Sequence, residues 1–249
     1  MTLTLVAATD VGLRREHNED RFAMWSPDDP LLAECRGTLL VVADGMGGSA
    51  AGEIASQLAV DTVVASYGTC DDDPSDVALR RAVERAHAAV RARSQATPSL
   101  SGMGTTCTAV AVRGHDLAIA HVGDSRAYLI RSGQGRQLTS DHSLVAQLVA
   151  HRLLTPDQAR SDPRRNVLTR SVGIGEQLQV DGGRVPGGLE TGDTLMLCSD
   201  GLHGLVADDE LARLGARRDL QAACDELVAL ARSRGGPDNI TVMLARVEP

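Results

Sequence analysis

Between residues 105 and 131 the chain presents three strand-like runs in quick succession, at 105–113, 117–122 and 125–131, joined only by short turns at Gly114-His115 and Gly123-Asp124. Turns that short return the chain beside itself, so these runs pair as antiparallel hairpins rather than through helical crossovers. Further strand signals lie at 3–9, 38–43, 193–198 and 240–247, and helical periodicity at 52–66, 75–94, about 143–152 and about 221–234. In 75–94, Leu79, Val83, Ala86 and Val90 recur on one face, with Asp73, Pro74 and Ser75 as a start signal. Helices in blocks between blocks of strands predict an α+β domain on antiparallel sheets, not a doubly wound parallel sheet.

The length, 249 residues without repeat, low-complexity segment or linker, fits one domain over 1–249. Residues are 43% hydrophobic but only 2% aromatic, so the core must be Val, Leu, Ala and Ile. Net charge is −8, and all 25 basic residues are Arg, in no run longer than a pair. That removes the electrostatic footprint of a nucleic-acid binder and of a polybasic membrane patch. The start, MTLTLVAATD, has no basic region and too short an apolar run for a signal peptide or anchor. Five cysteines without a C-x-x-C pair argue for reduced thiols and against a disulfide framework. The expectation is a soluble, cytoplasmic protein.

Four acidic segments sit where strands should end in turns: HNED at 17–20, VVADGMGG at 41–48, LCSDG at 197–201 and GGPDN at 235–239. A single D-G pair is usually only a turn. Several at strand ends can converge on one site, where Asp44, Asp200 and Asp238 would repel one another unless cations lay among them. Oxygen-only ligands suit hard divalent ions such as magnesium and manganese. A pair of such ions about 4 Å apart makes hydroxide available near neutral pH and neutralises a phosphoryl group under attack.

These segments, with GMGTT at 102–106 and HVGDSRAYL at 121–129, occur in the order seen in the metal-dependent serine/threonine phosphatases of the protein phosphatase 2C type, and the chain resembles the small bacterial members along almost its entire length. The resemblance implies a four-layer α-β-β-α sandwich with two central antiparallel sheets flanked by helices. It also implies hydrolysis of phosphoserine and phosphothreonine by a water bound between two Mn2+ or Mg2+ ions. Asp44 matches the carboxylate bridging both metals, and Gly45 the residue lending its carbonyl. Asp200 and Asp238 match ligands of the first metal. Glu19 matches an acidic residue at the second metal, direct or through water, with Asp20 and Asn239 in the outer shell. Arg15 falls where the family carries its phosphate-binding arginine, a guanidinium that forks onto phosphate oxygens. Asp124 matches a ligand of a third, weaker metal, and residues about 141–171 match a flap beside the active site.

The chain departs from the family at Gly204, where relatives carry an acidic residue, and at Asn166, where bacterial relatives often place Ser; both put the third metal in doubt. His203, in the altered turn, reads as more often solvent-facing than a substitute ligand. Met46 stands where animal relatives place a His as candidate general acid, so another group must protonate the leaving group. Cys107 and Arg113 have C-x5-R spacing, but their alternation is that of a strand, and Cys107 reads as core. GMGGSAAGE lacks the GK[ST] of a nucleotide loop. Of the remaining histidines most read as surface or capping residues, with His121 half buried, and their spacing argues against zinc. The expected partners are phosphoproteins, those of a bacterial Ser/Thr kinase; the alternative is a catalytically weak phosphatase-fold interaction or regulatory module.

Overall fold

The computed structural model describes residues 2–47, 50–70 and 73–248. The first half runs β1 (Thr2–Asp10), β2 (Asp20–Trp25), α1 (Pro30–Arg36), β3 (Thr38–Met46), α2 (Ala50–Tyr67), α3 (Ser75–Ala96), β4 (Gly104–Thr105), β5 (Cys107–Arg113) and β6 (Asp116–Val122). There follow β7 (Arg126–Arg131), β8 (Gln134–Gln137), α4 (Leu144–Ala150), α5 (Pro156–Ser161), β9 (Asp181–Arg184) and β10 (Thr194–Cys198). The chain closes with α6 (Asp200–His203), α7 (Asp208–Gly215), α8 (Leu220–Ser233) and β11 (Ile240–Glu248).

One sheet has the order β1-β11-β10-β7-β8 and the other β2-β3-β5-β6-β9, with β4 pairing β3. Every pairing is antiparallel. The period-2 alternation of a strand explains the layering. On β3, Leu39, Val41 and Ala43 face α2 and α3, while Leu40 and Val42 face the other sheet. On β11, Ile240, Val242 and Leu244 pack with α7 and α8, while Met243, Ala245 and Val247 point between the sheets. Strands buried on both faces read as continuous apolar runs, which is why these two stand out in the sequence. The result is the four-layer α-β-β-α sandwich. Leu79, Val83, Ala86 and Val90 of α3 are all buried, as their spacing predicts.

The elements that periodicity does not single out are short or half-exposed: β2, α1, β8, α5, β9, α6 and α7. The cysteine expectation is corrected outright. Cys35 at the end of α1 and Cys70 just beyond α2 form a disulfide, their Cα atoms 6.1 Å apart, while Cys107, Cys198 and Cys224 are buried free thiols. The chain leaves Cys35 along β3 and returns through α2, so the pairing is made by topology and leaves no mark in the spacing. Beside it Arg36 is 1% exposed, its Nε donating to Thr69 O at 2.8 Å and its Nη1 to Asp73 O at 3.1 Å, over the Tyr67 ring. Among the described residues no helix is long and apolar enough to cross a membrane.

Candidate active site

The acidic turns meet at one edge of the sandwich. Asp44 lies near the end of β3, and Asp20, at the start of β2, is its cross-strand partner. Asp200 follows β10 as the first residue of α6, and Asp238 sits two residues before β11, the neighbour of β10. Backbone and side-chain bonds hold this frame. The Asp44 N–H donates to Thr106 Oγ1 at 2.8 Å, and the Asp44 carbonyl accepts from the Thr106 N–H at 2.9 Å. Ser199 Oγ donates to Asp20 Oδ2 at 2.7 Å. Asn239 staples the 11–19 segment to the β11 turn: its Nδ2 donates to Val11 O at 2.9 Å and His17 O at 3.0 Å, and its Oδ1 accepts from the Glu19 N–H at 2.8 Å.

Glycine is required where Glu19 enters. A Cβ on Gly45 would lie 2.1 Å from Gly52 O, and one on Gly52 would lie 2.6 Å from Glu19 Oε1. No larger residue fits at either position without displacing the backbone or the carboxylate. Arg15, half-exposed, donates through Nη2 to Asp238 Oδ2 at 2.8 Å.

The electrostatics are those of crowded like charges. Burial, then Asp20 and Asp200, push the Asp44 carboxyl well above the usual carboxylate range. Burial, then Asp124, Asp238 and Asp20, do the same to Asp200. Asp20 is pushed up to about 6, chiefly by burial, and Glu19 is raised for the same first reason. Glu19 Oε1, Asp20 Oδ1 and Asp200 Oδ1 are buried without any hydrogen-bond partner. Orphaned buried acceptors are costly, and several of them along one edge favour a ligand that supplies positive charge. Among the described residues no three His, Cys, Asp or Glu side chains close into a ready-made ligand shell. The carboxylates are gathered rather than collapsed, as mutual repulsion dictates.

Beside them lies a cleft of about 550 Å3, with Arg15, Asp200 and Asp238 on one wall and Val145, Val149 and Pro156 of the flap on the other. The flap contains α4, capped by Ser143, and α5, opened by a Thr155–Gln158 capping box. Its two ends pair through the Ser143–Leu168 bridge. Asp124, 8% exposed, stands at the cleft with its carboxyl pushed up to about 7 by burial and by Asp141. Gly204 and Asn166, the two departures, line the same cleft.

Several residues differ from expectation. His203 is half-buried rather than turned out to solvent; its Nε2 donates to Asp124 O at 2.9 Å from the short helix α6. His87, His121 and His142 are buried; His121 is bonded at both ring nitrogens, by the Thr108 hydroxyl and the Ser140 carbonyl, His142 Nδ1 accepts from the Gly123 N–H, and His87 on α3 accepts from the Gly173 N–H while its Nε2 has no partner. Gly48, part of the VVADGMGG segment, lies outside the described residues, as does Ser49. Met46 pairs with Gly104 at the end of β3. Cys107 lies within β5, its thiol pushed up to about 12 by burial, an inert core group. Thr106, Ser199 and the Arg126–Asp141 pair support the site without having been singled out; their signal was adjacency to the GMGTT, SDG and GDSR segments.

Comparison with known proteins agrees with this geometry. The family profile for protein phosphatase 2C matches residues 14–245. The serine/threonine phosphatase stp of Listeria monocytogenes is 36% identical over 241 residues, covering 95% of this chain and 92% of that protein. The structure of the S. agalactiae serine/threonine phosphatase superposes with a TM-score of 0.89 at 35% identity, covering 99% of this chain and 100% of the other. The catalytic domain of the phosphatase PstP, solved in complex with 2 manganese ions, superposes with a TM-score of 0.85 at 34% identity, covering 99% of each chain. The carboxylate edge, the sandwich that carries it and the near-complete match together place this chain in the protein phosphatase 2C family, as a protein serine/threonine phosphatase.

Proposed function

We propose that the carboxylate edge holds two Mn2+ or Mg2+ ions, with Asp44 shared between them. Asp200 and Asp238 complete one ion, the Gly45 carbonyl and Glu19 (direct or through water) serve the other, and Asp20 and Asn239 hold the outer shell. Asp124 would serve a weaker third ion. The observation that carries this reading is the trio of buried, unpartnered carboxylate oxygens on Glu19, Asp20 and Asp200. The donor set is oxygen only, as hard divalent cations prefer. Bound there, two such ions would offset the carboxylate charge and lower the pKa of a coordinated water, which could then serve as the nucleophile toward phosphorus.

The chain's own residues do the rest. Arg15 stands at the mouth of the cleft and can fork onto phosphate oxygens, exchanging its bond to Asp238 for one to substrate. Gly45 and Gly52 keep Glu19 against the end of β3. The flap wall offers Val145, Val149 and Pro156 to the peptide flanking a phosphoserine or phosphothreonine. The substrates in this reading are cytoplasmic phosphoproteins of a bacterial Ser/Thr kinase.

The test is hydrolysis of p-nitrophenyl phosphate and a phosphothreonine peptide, with manganese and with EDTA, for wild type beside Asp238→Ala. Manganese-dependent turnover that chelation and the substitution both abolish is expected. Turnover that survives EDTA would overturn the metal reading.

A further inference from the structure

The first two residues of the flap are built into the turn that carries Asp124. Arg126 opens β7 directly after that turn. Its guanidinium grips Asp141 from two sides: Nε donates to Oδ1 at 2.9 Å and Oδ2 at 3.2 Å, and Nη2 donates to Oδ2 at 2.7 Å. Its Nη1 donates to the Tyr128 hydroxyl at 3.0 Å. Gln137 Nε2 adds a bond to Asp141 Oδ1 at 3.2 Å. His142 completes the joint, its N–H donating to Gly123 O at 2.7 Å while its Nδ1 accepts from the Gly123 N–H at 3.1 Å.

This joint is tied in two further directions. At the far end of the flap Arg170 Nη1 donates to Asp181 Oδ1 at 2.7 Å, and His142 Nε2 lies 3.0 Å from Asp181 Oδ2. Toward the carboxylate edge, Ser125 Oγ lies 2.7 Å from Thr106 Oγ1, the atom that accepts from the Asp44 N–H. Arg126 lines the cleft, with its guanidinium engaged by Asp141 and Tyr128.

We infer that Arg126 is a positioning residue: by gripping Asp141 it fixes the flap to the Asp124 turn, and so sets the width of the cleft that receives a protein segment. The two-pronged contact demands a guanidinium, because an ammonium of equal charge meets a carboxylate at one point only. The inference rests on phosphopeptide hydrolysis in this cleft.

The experiment compares wild type with Arg126→Lys and Asp141→Asn, as manganese-loaded full chains, on a phosphothreonine peptide and on p-nitrophenyl phosphate. Limited trypsin digestion supplies a readout independent of activity, since the flap exposes Arg152, Arg160, Arg164 and Arg165. KM for the peptide should rise about tenfold while kcat for the small ester stays within about threefold, the pattern of misplaced substrate contacts with intact chemistry. The flap arginines should be cut sooner than in wild type at a temperature where the variants remain folded, since removing one partner of a largely buried ion pair also costs global stability. Parallel losses on both substrates, or an Arg126→Lys protein with wild-type kinetics and wild-type digestion, would overturn the inference. Should Arg126→Lys not fold, Asp141→Asn decides by the same two readouts. Wild type inert on both substrates would defeat the phosphatase reading alone, leaving digestion to decide the latch.

Discussion

At the Thr38 end of β3, Arg36 is buried at 1% exposure, yet its guanidinium meets the carbonyls of Thr69 and Asp73 and the face of Tyr67, beside the Cys35–Cys70 disulfide. About 20 Å along the same strand, Asp44 stands among Asp20, Asp200, Asp124 and Asp238, and three carboxylate oxygens of this edge have no partner. Both ends bury charge. One answers it with carbonyls, a ring and a covalent tie from its own chain, and so serves as scaffold. The other leaves it unanswered, and an unanswered buried charge specifies what must bind. Site and scaffold are thus told apart by whether buried charge is answered, not by burial.

Asp44→Ala should lower kcat by at least about a hundredfold, the scale of losing metal-ion catalysis, and steady-state turnover near wild type would remove it from the site. At the other end, reducing the disulfide, or replacing Cys35 by Ser, should cost about 2–4 kcal/mol of stability through the loop it closes. Denaturant melts with and without reductant measure that cost, and manganese-dependent kcat should stay unchanged while the protein is folded. A large loss of kcat on reduction would join the two ends functionally.

The sequence made the carboxylate edge more legible than the scaffold end, for a physical reason. Asp44, Asp200 and Asp238 each sit on a Gly- or Asn-bearing turn at the end of an apolar run, a local pattern that survives in one dimension. The buried strands β3 and β11 were legible because both their faces are apolar. The disulfide was not, since Cys35 and Cys70 are neighbours only after β3 and α2 have folded back. Short pieces such as α1 and α6 carry too few residues to show a period. The half-buried placement of His203 depends on α6, and so was hidden with it.

Two smaller effects sharpen the contrast. Arg15→Ala should raise KM about tenfold with kcat little changed, because it removes ground-state binding of the phosphate; an unchanged KM in a phosphopeptide titration takes Arg15 out of that role. In the chelated protein Asp44→Asn should raise the melting temperature. Its carboxyl is raised by burial and by Asp20 and Asp200, so the ionised form opposes folding and a neutral amide does not. A thermal melt in EDTA reads the sign.

The most direct measurement is calorimetric titration of chelated wild type and Asp44→Asn with manganese. Two ions bound by wild type, weakened or lost in the variant, with a wild-type melting temperature that climbs with manganese, is the predicted result. Wild type that binds no manganese and melts at the same temperature throughout the titration would contradict the claim that this carboxylate edge is built to hold metal.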